Sequence, residues 1–312
     1  MIINRNTYGS NFNVIELYDN IIIKKNKNNY GFLKILNEIN FYNFIKMTDL
    51  SIYFPEIIEI SINDKDHIGC IKMKYLLDYK ELYTVFNDYD NNTKLLIIDK
   101  ILNILTKIHK MHEYNISKDY YYNNLLCETI NKINNRISEI QHIIDKYNYI
   151  EYVNGIKIKS YEDIINKIKF NINEYFETKS DYKYSIIHGD CQFSNILINS
   201  NFDIKFIDPR GYFGDTKIFG MPQYDIAKIY FALSGYDHFD NNLYDTLNIY
   251  NNNIIINITD CKIDNFITED YFIKTLVTSI WLGNSHMYKD NINKCITSYF
   301  ISLYYGTLNL QF

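Results

Sequence analysis

Residues 184–211 read YSIIHGDCQFSNILINSNFDIKFIDPRG, and this segment constrains the chain more than any other. Two apolar runs, ending at Ile187 and Ile207, are each followed at once by an acidic turn. Buried strands that stop on acids present carboxylates at the end of a sheet, where chemistry is usually done. Asn195 follows Asp190 by five residues, and Asp208 follows Asn195 by thirteen. Between them, Ile196–Ile198 and Ile204–Ile207 flank the polar cluster 199–203, a hairpin signal. His188-x-Asp190-x-x-x-x-Asn195 alone is weak in so Asn-rich a chain. The further Ile207-Asp208-Pro209 at the end of a second strand makes the pattern much more specific.

These residue types suit phosphoryl transfer. That reaction asks the protein for a carboxylate to take or orient the acceptor hydroxyl proton. It also asks for oxygen ligands that keep Mg²⁺ on the phosphates. Asp190, Asn195 and Asp208 are expected to fill those positions. Cys191 sits inside the motif, but no base is paired with it by pattern, so a nucleophilic role is disfavoured.

Composition excludes several classes. The 312 residues are 47% hydrophobic, enough for a sizeable core, and the net charge of −5 gives no basic footprint for nucleic acid. No apolar run approaches the ~20 residues of a membrane span. No secretory signal is expected from Met1–Ser10. Five scattered cysteines without C-x-x-C spacing read as thiols in a reducing, cytoplasmic compartment, with neither disulfide framework nor zinc site. His109, His112 and Glu113 are expected to be structural, because the helix before them ends there and no cysteine is near.

Along the chain, Asn13–Tyr18 and Ile21–Lys25 read as a hairpin about Asp19-Asn20. A helix follows at about 30–44, with Phe32, Ile35, Leu36, Ile39 and Tyr42 at helical spacing. Strands are expected at 57–60 and 69–77. After Asp78 the pattern turns helical, with helices over about 95–108, 121–147 and 161–176 and mostly helix from Tyr224 onward. The expected fold is α+β, with a small β-rich N-terminal lobe at 1–78 and a larger, mainly helical lobe at 79–312.

The segment 184–211 resembles the catalytic and metal-binding loops of the aminoglycoside phosphotransferase and choline kinase families, small-molecule relatives of protein kinases. That resemblance implies a bilobal protein-kinase-like fold binding ATP or GTP between its lobes, with Mg²⁺. It assigns Asp190 as the catalytic aspartate, Asn195 and Asp208 as metal ligands, and His188 as a structural histidine. The Asp-Pro-Arg-Gly ending looks like a subgroup in bacterial capsule and surface-sugar biosynthesis.

Upstream, Ile21–Lys25 resembles the strand whose lysine grips the α- and β-phosphates. Alternation puts Lys24 on the face of Ile22 and favours it over Lys25, with Glu38 as its ion-pair partner on the next helix. Residues 71–77 resemble the strand into the interlobe hinge, where backbone groups of Lys74 and Leu76 would meet the adenine ring. Only Gly9 precedes the second strand, so a loose phosphate clamp around Gly9 and Ser10 is expected. Tyr224-Asp225-Ile226-Ala227-Lys228 resembles an Asp-x-Ala helix start, with Asp225 supporting the catalytic loop.

The missing glycine triplet leaves a non-catalytic nucleotide-binding protein as the alternative. Gly189 in place of an arginine, and the absence of any Ala-Pro dipeptide, argue against a protein kinase. The acceptor is expected to be a small hydroxylated molecule: a sugar, an amino alcohol or an aminoglycoside-like compound. Asp215, Asp237 and Asp240 read first as solvated surface acids, with a cationic amine or sugar hydroxyls as their alternative partners.

Overall fold

The structure is a computed structural model and describes residues 12–242, 246–257, 268, 270–310 and 312. By contacts the chain divides into two compact units, one of residues 1–114 and 184–232, the other of 115–183 and 233–312.

The first unit opens with β1 (Asn13–Tyr18) and β2 (Ile21–Asn26), antiparallel with Tyr18 facing Ile21. The hairpin turns on Asp19 and Asn20, both at positive φ (45° and 63°), the conformation that Asn and Asp tolerate best among side-chain-bearing residues. Helix α1 (Asn29–Ile45) starts where the Asn28 side chain accepts from Gly31 N–H at 2.8 Å. Its buried stripe carries Phe32, Ile35, Ile39 and Tyr42, with Glu38 on the same buried face. β3 (Ile57–Asn63) and β4 (Ile68–Lys74) complete an antiparallel sheet in the order β1-β2-β4-β3.

A short β5 (Lys80–Glu81) leads to α2 (Asn91–Lys110), capped by Asp90 and burying Ile97, Ile98, Ile101, Ile104, Leu105 and Ile108. β6 (Glu113–Asn115) ends this part. When the chain returns to the first unit it forms β9 (Lys183–Ile186), then the hairpin β10 (Ile196–Ile198) and β11 (Ile204–Phe206). β12 (Phe219–Gly220) and α6 (Pro222–Leu233) follow. Two three-stranded sheets result, β11-β10-β5, which is antiparallel, and β12-β9-β6, in which β12 and β9 are antiparallel.

The second unit is mainly helical. It contains α3 (Lys118–Leu126), α4 (Lys132–Ile144), α5 (Tyr161–Thr178), α7 (Tyr236–Asn241), α8 (Tyr271–Asn284) and α9 (Ile292–Asn309). The expected helix over 121–147 is α3 and α4 joined by one π-helical turn, Cys127–Asn131. Trp281 is fully buried, stacks on Tyr305 and donates to Ser234 Oγ at 2.9 Å. A four-stranded sheet joins β13 (Asn248–Tyr250), β14 (Asn253–Ile255), β7 (Tyr152–Val153) and β8 (Ile156–Lys157), with β14 and β7 parallel. The helical expectation after Tyr224 does not cover β13 and β14. Their Asn-rich turn, with Asn251 at φ 55°, closes a hairpin instead.

Candidate active site

Strand alternation delivers Lys24 to the inner face of β2, where it is 4% exposed, while Lys25 turns out toward Glu16 at 3.6 Å. The Lys24 ammonium lies 2.7 Å from Glu38 of α1 and 2.7 Å from Asp208. Burial works to lower its pKa and is outweighed by Asp208 and Glu38, so the ammonium stays charged. One buried cation thus serves two carboxylates. Burial accordingly dominates at Glu38 and pushes its carboxyl up to about 7, against the pull of Lys24. Glu38 Oε1 has no hydrogen-bond partner among the described residues.

Asp208 follows β11 with φ at 55°, a left-handed conformation that is sparsely populated by side-chain-bearing residues. Gly211 holds the loop beyond it against α1. Its φ is +68°, and a Cβ there would stand 2.3 Å from Asn37 O.

The loop after β9 is tied to this one by backbone bonds. Arg210 N–H donates to His188 O at 2.8 Å, and Ile207 N–H donates to Asn195 O at 3.0 Å. His188 is fully buried, and burial lowers its pKa against the nearby Asp225 and Asp190. The neutral ring fits its partners, since Nε2–H donates to Ile207 O at 3.0 Å and Nδ1 accepts from Asp190 N–H at 3.2 Å. Asn195 donates through Nδ2 to Asp190 O at 2.8 Å and to Asp190 Oδ2 at 3.2 Å.

Asp225, in the first turn of α6, is wholly buried and accepts three hydrogen bonds. They come from His188 N–H at 2.9 Å, Gly189 N–H at 2.7 Å and His109 Nε2 at 2.9 Å. Burial acts to raise its pKa, but these donors, His109 first, carry it below the ordinary carboxylate range. Asp225 thus bonds the backbone of the two residues that precede Asp190. His109 is occupied in this network, and no cluster of metal-binding side chains occurs among the described residues.

Lys228 was not singled out by the sequence reading. It lies one turn beyond Asp225 on α6, and its ammonium is 2.8 Å from Asp190 Oδ1. Burial works to raise the Asp190 pKa, but Lys228 outweighs it and keeps the carboxyl below its ordinary range. The i, i+3 spacing of Asp225 and Lys228 was the available signal, because it puts both on one helix face.

Lys74 N–H donates to Glu56 O and Leu76 O accepts from Tyr79 N–H, so both residues have backbone groups committed within the protein. Gly9 and Ser10 lie outside the described residues. Cys191 is buried, and burial raises its thiol well above its ordinary pKa, which makes it inert rather than nucleophilic. Asp215 is exposed. Asp237 is 2% exposed, and Asp240 accepts from Tyr288 Oη at 2.5 Å. Asp237 is thus buried within the second unit, and Asp240 is half-buried there.

The fold is protein-kinase-like, with a small β-sheet region toward the N-terminus and a mainly helical region toward the C-terminus. Solved structures of that fold include aminoglycoside phosphotransferases and choline kinases. The GDP complex of an aminoglycoside 2′-phosphotransferase-IIIa mutant matches with a TM-score of 0.60 at 12% identity, over 99% of this chain and 92% of that one. The GDP and kanamycin complex of APH(2″)-IIIa gives 0.60 at 13% identity, covering 99% and 93%. Choline kinase LicA from Streptococcus pneumoniae gives 0.54 at 14% identity, covering 98% and 93%. No protein-family model and no curated protein sequence matches the chain.

Proposed function

We propose that this chain is a Mg²⁺-dependent phosphotransferase that moves the γ-phosphate of ATP or GTP to a hydroxyl of a small molecule. The observation that carries the reading is the meeting of Lys24, Glu38 and Asp208 at 2.7 Å, joined through two hydrogen-bonded loops to Asp190 and Asn195. Five residues from four separate stretches of sequence are drawn together, and they are the residue types phosphoryl transfer uses, which supports the reading. The nucleotide-bound neighbours of this fold support the same reading.

The donor set fits Mg²⁺. The Asn195 amide nitrogen is spent on Asp190, which leaves its oxygen for a cation, and the Asp208 side chain is 40% exposed. One carboxylate and one amide oxygen suit an ion that completes its shell with phosphate oxygens and water. Bound there, Mg²⁺ neutralises phosphate charge. Lys24 steadies the α- and β-phosphates, and Glu38 keeps the ammonium aimed. Asp190, ionised and held on one oxygen by Lys228 and near the other by Asn195, orients the acceptor hydroxyl. The oxygen–phosphorus bond forms as the bond to the departing nucleoside diphosphate breaks, and the hydroxyl proton passes to Asp190.

The test is ADP or GDP release from Mg-ATP and Mg-GTP with panels of sugars, amino alcohols and aminoglycosides. The expected result is turnover with at least one acceptor that is lost in Asp190→Asn. No turnover above that variant with any acceptor refutes the activity. Tight Mg-ATP binding under the same conditions would then favour the non-catalytic alternative.

A further inference from the structure

The catalytic loop itself carries no cation. Between Asp190 and Asn195 stand only Cys191, Gln192, Phe193 and Ser194. The transferring phosphoryl group spreads negative charge over its oxygens, and positive groups aimed at that charge are among the largest contributions to such catalysis. Lys24 is committed elsewhere, between Glu38 and Asp208. The ammonium nearest to Asp190 arrives from α6 instead. Lys228 Nζ lies 2.8 Å from Asp190 Oδ1, with its side chain 12% exposed and the Phe231 ring centroid 5.2 Å away.

An ammonium has three N–H donors. The Asp190 contact at 2.8 Å accounts for one of them. With its side chain still 12% exposed, the ammonium can turn a further donor toward a second anion. The reacting geometry supplies one. An acceptor hydroxyl in hydrogen-bond reach of Asp190 stands about 3–3.5 Å from the phosphorus it attacks. A cation on the same carboxylate is therefore within one further contact of the phosphoryl oxygens. Burial would lower its pKa, but Asp190 outweighs this and raises it, so Lys228 is charged when it is needed.

The geometry points to Lys228 as a second catalytic cation, one that donates to the transferring phosphoryl group while its first N–H holds Asp190. This assignment rests on the phosphotransferase reading and adds to it a residue that contacts the reacting atoms.

The experiment needs no knowledge of the acceptor. Mg-ADP binding to the full chain is measured by calorimetry with and without aluminium fluoride, whose complex with ADP mimics the phosphoryl group in transit. The proteins are wild type, Lys228→Met and Lys228→Arg. Wild type is expected to bind ADP at least tenfold more tightly with aluminium fluoride, the scale of one charge-assisted contact. Lys228→Met is expected to lose that enhancement with Mg-ADP affinity unchanged within about threefold, the scale of a few tenths of a kcal/mol. Lys228→Arg is expected to keep most of it, because the charge is retained.

A lysine that only positioned Asp190 would leave the enhancement intact, since no hydroxyl is being oriented in this assay. Enhancement that survives in Lys228→Met, or that is absent from wild type, overturns the assignment and leaves the phosphotransferase reading standing. Failure of wild type to bind Mg-ADP at all removes both. Mg-ADP binding by Lys228→Met doubles as the control for folding.

Discussion

Asp225→Ala isolates the network that fixes the catalytic loop. The carboxylate is wholly buried and accepts from His188 N–H, Gly189 N–H and His109 Nε2 at 2.7–2.9 Å. Its removal leaves three donors without an acceptor in a place water does not reach. Each orphaned buried donor costs about 1–3 kcal/mol, and breaking a buried charged network typically costs about 3–5 kcal/mol. A loss of about 4 kcal/mol is expected, a large part of a total stability of about 5–15 kcal/mol. With a urea slope of about 3 kcal/mol per M, the unfolding midpoint should fall by about 1.3 M.

The pH dependence has a definite sign. The folded pKa of Asp225 lies below its ordinary value of 3.8, so its contribution is present above that pH and is lost as pH falls through the lower folded value. Wild type should therefore lose stability on acidification below pH 3.8 more steeply than Asp225→Asn, measured by urea unfolding across a pH series. A midpoint shift in Asp225→Ala under about 0.3 M, equivalent to less than 1 kcal/mol, would refute the reasoning.

Three further outcomes are expected. Asp190→Asn should lower turnover by about 10²–10⁴-fold while Mg-ATP still binds, read by steady-state kinetics and calorimetry. Lys24→Ala leaves Glu38 and Asp208 as neighbouring acids without their shared cation. It should weaken nucleotide binding and destabilise the fold by about 3–5 kcal/mol, and adding Glu38→Gln should restore part of the stability in a double-mutant cycle. Gly211→Ala should cost about 2 kcal/mol or more by chemical unfolding, because its Cβ would meet Asn37 O at 2.3 Å. Gly155→Ala shares a positive φ but meets nothing within 4 Å, so it should cost only about 1 kcal/mol.

Local patterning made the first hairpin, α1 and the β10–β11 hairpin legible, because alternation, helical spacing and turn residues agree there. The lysine–glutamate pair could be read for the same reason, since Lys24 and Glu38 each fall on the buried face of a regular element. The π-helical turn at Cys127–Asn131 had no such signal, because the apolar pattern runs through it unbroken. The β13–β14 hairpin escaped because Ile and Asn are so frequent that short strands and loops look alike. Lys228 escaped for another reason. Its spacing puts it on the helix face of Asp225, but its partner Asp190 is distant in sequence, and the pairing itself shows only where α6 meets that loop.

The site divides into a settled part and an unsettled part, and the division follows its chemistry. Around His188, Gly189 and Asp225 the main hydrogen bonds are closed and the charges matched, which suits the platform role proposed for them beneath Asp190. Around Lys24 the balance is left open. Two carboxylates share one ammonium, Glu38 Oε1 is buried without a partner, and Asp208 holds a left-handed backbone conformation. Such violations persist only where the surroundings enforce them, and they concentrate where a ligand is awaited. A cation on Asp208 would relieve the acid that competes with Glu38 for Lys24. The excess negative charge on this side is thus a reason to expect Mg²⁺ and nucleotide to bind together, with each making the other's position less costly.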